Sequence, residues 1–222
     1  MQTKNDIQYI QTKKVLRGET KVDSLKQGLM DWISNRFKIN VINIEYDKID
    51  QGKRDRLNVI VKKRIDADKM HHNGPDYSGY KKEYQQEILD AFLKIYDGSN
   101  FMDFDAEFKP WVCYHVFDDV AISEANGEIG IEKLSEITKE YSEIGIWQIV
   151  QFFGATIVFL FEVKQLEELD KGKAESLRKR LFKEVKAHDE FDILKEDMFT
   201  INFDTKENLD KNYEGNMINY FR

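Results

Sequence analysis

Between Ile144 and Phe161 the chain reads IGIWQIVQFFGATIVFLF, with no charged residue until Glu162. In a protein of which 34% of residues are charged, a run like this must be withdrawn from water. It can do so as a transmembrane helix or as buried strands. A helix rises about 1.5 Å per residue against a hydrocarbon core of about 30 Å, so the run falls just short of a span. Gln148 and Gln151 interrupt its first half, and TIVFLFEV in the second is rich in β-branched and aromatic residues that suit a pleated surface. Gly154, able to take positive φ at little steric cost, lies between the halves. The run is therefore expected to form a buried hairpin with no membrane span: a strand from Ile146 to Phe152, a turn at Phe153 and Gly154, and a strand from Ala155 to Val163. The other amphipathic segments are expected to pack against it.

Upstream, Ile7 and Ile10 suggest a short helix stopped at Gly18. Asp23 is placed to cap a helix over 24–36 whose Leu25, Leu29, Trp32 and Ile33 share one face. The period then changes to two, giving strands around Ile42–Tyr46 and Leu57–Val61. The apolar pattern lapses from 65 to 80, where Asn73, Gly74 and Pro75 follow one another, and this segment is expected to be a loop. Beyond it the spacing predicts a helix from Tyr84 to Tyr96, extended segments at Phe101–Phe108 and Trp111–Val116, and a helix from Ile131 to Ile144. Past the hairpin it predicts a helix carrying Leu177, Leu181 and Val185, a strand at Phe199–Phe203, a polar link and a last apolar stretch. Helix 25–33 and strand 44–47 echo helix 177–185 and strand 201–204, which hints at two related helix-strand-strand units. The class expected is α+β, a mixed or largely antiparallel sheet packed by three to four amphipathic helices. The parts expected are a basic helix-strand-strand unit at 1–65, a loop at 66–80 and an acidic α+β portion at 81–222, which together could form one continuous domain.

Charge is unevenly spread. Residues 1–64 hold fifteen Lys and Arg against eight Asp and Glu, and the remainder holds nineteen against thirty-three. Such a split can mark an arm for a polyanion, but the basic residues are scattered through amphipathic elements, with only Lys62, Lys63 and Arg64 in a row. Contact between the basic and acidic parts, within one chain or between copies in a homo-oligomer, is the favoured reading, and nucleic acid is disfavoured. Cys113 is the only cysteine, so no intrachain disulfide can form. With no apolar, secretory-type segment near Met1, a cytoplasmic location is expected.

No phosphate-binding glycine loop, nucleophile elbow or paired CxxC occurs. Two clusters remain. His71 and His72 lie in the expected loop, where imidazoles can ligate metals or titrate, but adjacent histidines in extended chain point apart and no HExxH frame surrounds them. Asp103, Asp105 and Glu107, if extended, project three carboxylates on one face a few residues before His115, as a divalent metal with oxygen ligands requires. The expectation preferred is an interaction module that binds a protein partner, uses no cofactor and performs no catalysis. The alternative is a divalent-metal-dependent hydrolase using Asp103, Asp105 and His115, with Glu107, His71 and His72 as further candidate ligands.

Overall fold

The apolar run forms the hairpin that its spacing predicts. In the computed structural model, which describes residues 3–51, 54–72, 79–96, 110–152 and 154–222, strands Ile146–Phe152 and Ala155–Leu160 pair antiparallel, and Gly154 turns the chain with a φ of 83°. The second strand stops at Leu160 because Glu162 begins a short helix through a capping box with Gln165. The hairpin does not organise the whole chain, however. Two compact units occur, Met1–Val120 and Ala121–Arg222, each with its own three-stranded mixed sheet.

The first unit contains α1 (Ile7–Leu16), α2 (Ser24–Phe37), β1 (Val41–Ile49), β2 (Arg54–Val61), α3 (Arg64–Asp68), α4 (Lys82–Tyr96) and β3 (Trp111–Val116). The next helix, α5 (Phe117–Gly127), carries the division between the units. As expected, Asp23 caps α2, accepting from the Lys26 backbone N–H at 2.8 Å. β1 and β2 form an antiparallel pair, and β3 joins β2 in parallel from Arg56 opposite Trp111 to Val61 opposite Val116. A parallel neighbour requires a long crossover, which α3 and α4 supply. The boundary expected at 66–80 therefore falls within the unit Met1–Val120. Leu57, Val59 and Val61 on one sheet face meet Leu29 and Ile33 of α2 and Ile88 and Phe92 of α4, and all are fully buried.

The second unit contains α6 (Ile131–Glu140), β4 (Ile146–Phe152), β5 (Ala155–Leu160), α7 (Val163–Glu167), α8 (Lys171–Ala187), β6 (Ile201–Thr205), α9 (Lys206–Tyr213) and α10 (Met217–Tyr220). The polar link expected after 203 is thus helical: Thr205 caps α9 by accepting from the Asn208 N–H at 3.0 Å. Val158 and Leu160 pack with Leu177, Leu181 and Val185 of α8 and Ile137 of α6.

The two units share one topology down to single backbone bonds. Both sheets run in the order first, second, third strand, with the first pair antiparallel and the second parallel. Both first strands carry a bulge at the same place, between Val41 and Asn43 and between Ile146 and Gln148. The Lys62 N–H donates to Asn40 as that of Phe161 donates to Gly145, and the Asp118 N–H donates to Lys62 as that of Glu207 donates to Phe161. The repeat therefore pairs α2 with α6, β1 with β4, α4 with α8 and β3 with β6. The sequence echo matched α2 with α8 and β1 with β6, because amphipathic helices of any origin present the same apolar spacing. Counted by unit, the charge split changes character: Met1–Val120 holds twenty basic and twenty acidic residues, and the whole surplus of −7 lies in the second unit. No helix among the described residues is long and apolar enough to cross a membrane.

Candidate functional site

Where the two sheets differ is the second face of each. In the second unit that face is largely apolar. Val150, Ile157 and Phe159 pack with Trp147, Leu209, Tyr213, Tyr220 and Phe221, and Phe152 stacks on Phe221 at 4.1 Å between ring centres. Aligned through the strand ladders, the positions of Val150, Phe152, Ala155 and Ile157 are taken in the first unit by Glu45, Asp47, Arg56 and Asn58, and that of Asp204 by His115. One scaffold therefore carries a mainly hydrocarbon surface in one copy and a charged, hydrogen-bonded one in the other.

α1 covers the polar face and is built for it. Its buried residues are Gln8, Tyr9 and Thr12, while Ile7 and Ile10 are exposed. Thr12 Oγ1 donates to the Gln8 carbonyl at 2.7 Å and accepts from Asn43 Nδ2 at 3.0 Å, and Asn43 Nδ2 also reaches Glu45 Oε1 at 2.9 Å. The Gln8 side-chain amide donates to Asp47. Asp47 faces Arg56 directly across the ladder and is gripped bidentately, Nε to Oδ1 at 2.9 Å and Nη2 to Oδ2 at 2.5 Å. Burial alone would raise the Asp47 carboxyl, but Arg56, Asn58 and Gln8 outweigh it and hold it below the ordinary carboxylate range.

Asn58 links this pair to His115. Its Nδ2 donates to the Glu45 carbonyl at 3.1 Å and to Asp47 Oδ1 at 3.2 Å, so Oδ1 is the atom 2.8 Å from His115 Nε2. The amide orientation makes Nε2 the protonated nitrogen and Nδ1 the acceptor. Desolvation, with Arg56 adding to it, lowers the His115 pKa to about 4, so the ring is neutral at pH 7.

Beside this network the first unit opens into a cleft of about 520 Å³, lined by Arg56, Arg64, His71, Tyr80, Tyr114 and His115 among others. Its lining draws on the start of β2 at Arg56, on the end of β3 at Tyr114 to Val116, and on segments that follow the two strands, among them Arg64, His71 and Asp119. Tyr114 and His115 are neighbours on β3 and point to opposite faces, so the cleft wraps the strand. His71, Tyr80 and Tyr114 form an edge-to-face row with ring centres 4.6 and 4.9 Å apart. Arg64 is paired with Asp119.

Comparison with protein-family models, curated proteins and solved structures returned no match. The site stands on its own chemistry.

Of the residues singled out by sequence, His115 and His71 both line the cleft, and His71 is bridged to Tyr80 as an isolated strand pair. His72 is not among the lining residues; its backbone N–H donates to Gly79 at 3.0 Å. Asp103, Asp105 and Glu107 lie outside the described residues. Among the described residues no group of three or more His, Cys, Asp or Glu is placed to hold a metal ion. Cys113 is buried, and desolvation raises its thiol to about 11, which leaves it a packing residue. Sequence reasoning missed Asp47, Arg56 and Asn58. A trace was present, since polar residues occupy alternate positions at Asn43, Glu45 and Asp47 and at Arg54, Arg56 and Asn58, but that pattern also describes a solvated face.

Proposed function

We propose that this chain is a binding module whose first unit receives a small polar ligand in the cleft beside Arg56, Tyr114 and His115 and does not transform it. The observation that carries this reading is the contrast between the two sheets. A half-buried ion pair and its amide partners add little net stability over apolar residues of similar size, and the second unit fills the same scaffold with such residues. A polar layer that the fold does not need, next to a cavity of ligand size, is best accounted for by recognition. The residues themselves favour binding over chemistry: Asp47 is neutralised by Arg56, and His115, with a pKa of about 4, is a weak base at pH 7. This reading departs from the expectation of a protein partner: the binding surface it proposes is a pocket in place of a protein-sized patch.

The test is a fragment screen on the full 222-residue chain by amide-detected NMR, using neutral, anionic and cationic compounds. Hits are expected to perturb Arg56, Asn58, Tyr114 and His115 together. The reading fails if no fragment class shifts this set more than the equivalent residues Ala155, Ile157, Phe203 and Asp204.

A further inference from the structure

We infer that the first-unit cleft selects an uncharged ring compound bearing hydroxyl groups, such as a free sugar or the ribose of a nucleoside, over its phosphorylated counterpart. This deepens the binding reading above and depends on it. The first line of argument is electrostatic. Among the described lining residues four carry formal charge, Asp6, Arg56, Arg64 and Asp119, and they sum to zero. Each is already engaged: Arg56 with Asp47, Arg64 with Asp119, and Asp6 with the Thr3 backbone N–H at 2.7 Å. An anion would have to displace a carboxylate from an arginine, and a cation an arginine from a carboxylate. The two lining histidines offer no compensating charge at pH 7, since desolvation lowers the pKa of both His71 and His115.

The second line is what the cleft still has to give. Tyr114 is 6% exposed, yet its hydroxyl makes no hydrogen bond among the described residues. A buried hydroxyl left without a bond is costly, and a ligand hydroxyl that reaches it would supply one. His115 presents Nδ1 as an acceptor, and Arg56 spends only Nε and Nη2 on Asp47. The cleft lining therefore combines, on the Tyr114 face of β3, a hydroxyl able to act either way beside a wall of three aromatic rings and, on the opposite face, an acceptor and a donor. Hydroxyl groups, each both donor and acceptor, on a ring with apolar C–H faces match that set. A free carboxylate or phosphate, which only accepts, matches less of it.

Two matched probe pairs test this on the full chain by NMR titration: glucose with glucose 6-phosphate, and adenosine with adenosine monophosphate. At least one neutral member is expected to bind at the cleft residues about tenfold or more tightly than its phosphorylated partner. Tyr114→Phe should weaken that binding by about tenfold, the worth of one hydrogen bond. The sugar and nucleoside arms separate the two sources of the ring. Equal or tighter binding of the phosphorylated members overturns the inference and leaves the cleft as a binding site. No binding by any of the four probes overturns it too, and the fragment screen then decides separately whether the cleft binds at all. Unchanged affinity in Tyr114→Phe, which removes an unbonded hydroxyl and should fold at least as well, refutes the assigned contact.

Discussion

Replacing Asp47 with alanine removes the carboxylate opposite Arg56 and leaves a guanidinium on a sheet face without its counter-ion. Breaking a fully buried ion pair from one side costs about 3–5 kcal/mol. The Arg56 and Asp47 side chains keep 23% and 21% exposure, so solvent screening reduces the expected cost to about 2–3 kcal/mol. At about 2–4 °C per kcal/mol for chains of this size, Tm should fall by roughly 4–12 °C. The informative comparison is the triple variant Asp47→Phe, Arg56→Ala, Asn58→Ile, which writes the second unit's residues into the first. It deletes both charges together; the bonds it forfeits, from Gln8 to Asp47 and from Asn58 to the Glu45 carbonyl and His115, are worth about 1 kcal/mol each and are offset by burial of the new Phe and Ile side chains, so its stability should lie within about 1–2 kcal/mol of the parent. Urea unfolding in a Trp147→Phe background confines tryptophan fluorescence to Trp32 and Trp111, both in the first unit. A triple variant as unstable as Asp47→Ala alone would show that the polar layer holds the fold together, and the case for a recognition site would collapse with it.

Three further outcomes are expected. His115 has a folded pKa of about 4 against an ordinary value near 6.5, so unfolded chains take up its proton first as pH falls; stability should decline between about pH 6.5 and 4 by up to roughly 3 kcal/mol, and His115→Gln should flatten that part of a urea-midpoint profile. Gly145 sits at a φ of 76° with the Gln165 amide against the place a Cβ would occupy, so Gly145→Ala should cost about 1–2 kcal/mol in urea unfolding, whereas the same change at Gly28, with open space around it, should be neutral or slightly stabilising. The Cys113 thiol should resist maleimide labelling at pH 7.5 in the native protein and react fully in denaturant; rapid native labelling followed by mass spectrometry would contradict its burial.

What could be read in advance was local. The hairpin, the Asp23 cap and the helices built on Leu29 and Leu177 follow from spacing within a dozen residues, and each appears where that spacing puts it. What escaped depends on partners distant in the chain. The parallel joining of Val61 to Val116 and of Leu160 to Thr205 leaves no mark in either strand's own pattern, so both the limits of the units and the true alignment of the repeat were out of reach. The buried side of α1 escaped for a related reason: Gln8, Tyr9 and Thr12 turn inward because Asn43, Asp47 and Asn58 make the surface beneath polar. Of the site, only His115 and His71 stood out, as histidines do in any sequence. Nothing near Asp47 in the chain announces that Arg56 will clamp it or that Asn58 will pass the contact on to His115.

The late third strand in each unit also has a consequence for synthesis. A ribosome delivers Val41–Val61 as a ready antiparallel ribbon, but its outer neighbour is made only at Trp111–Val116, after both crossover helices have emerged. Until then one flank of Leu57, Val59 and Val61 has no strand beside it, which is the period when a nascent chain is most exposed to chaperones and to aggregation. The same wait recurs from Leu160 to Ile201, so translation speed across 62–110 and 161–200 should govern the yield of folded protein more than speed anywhere else.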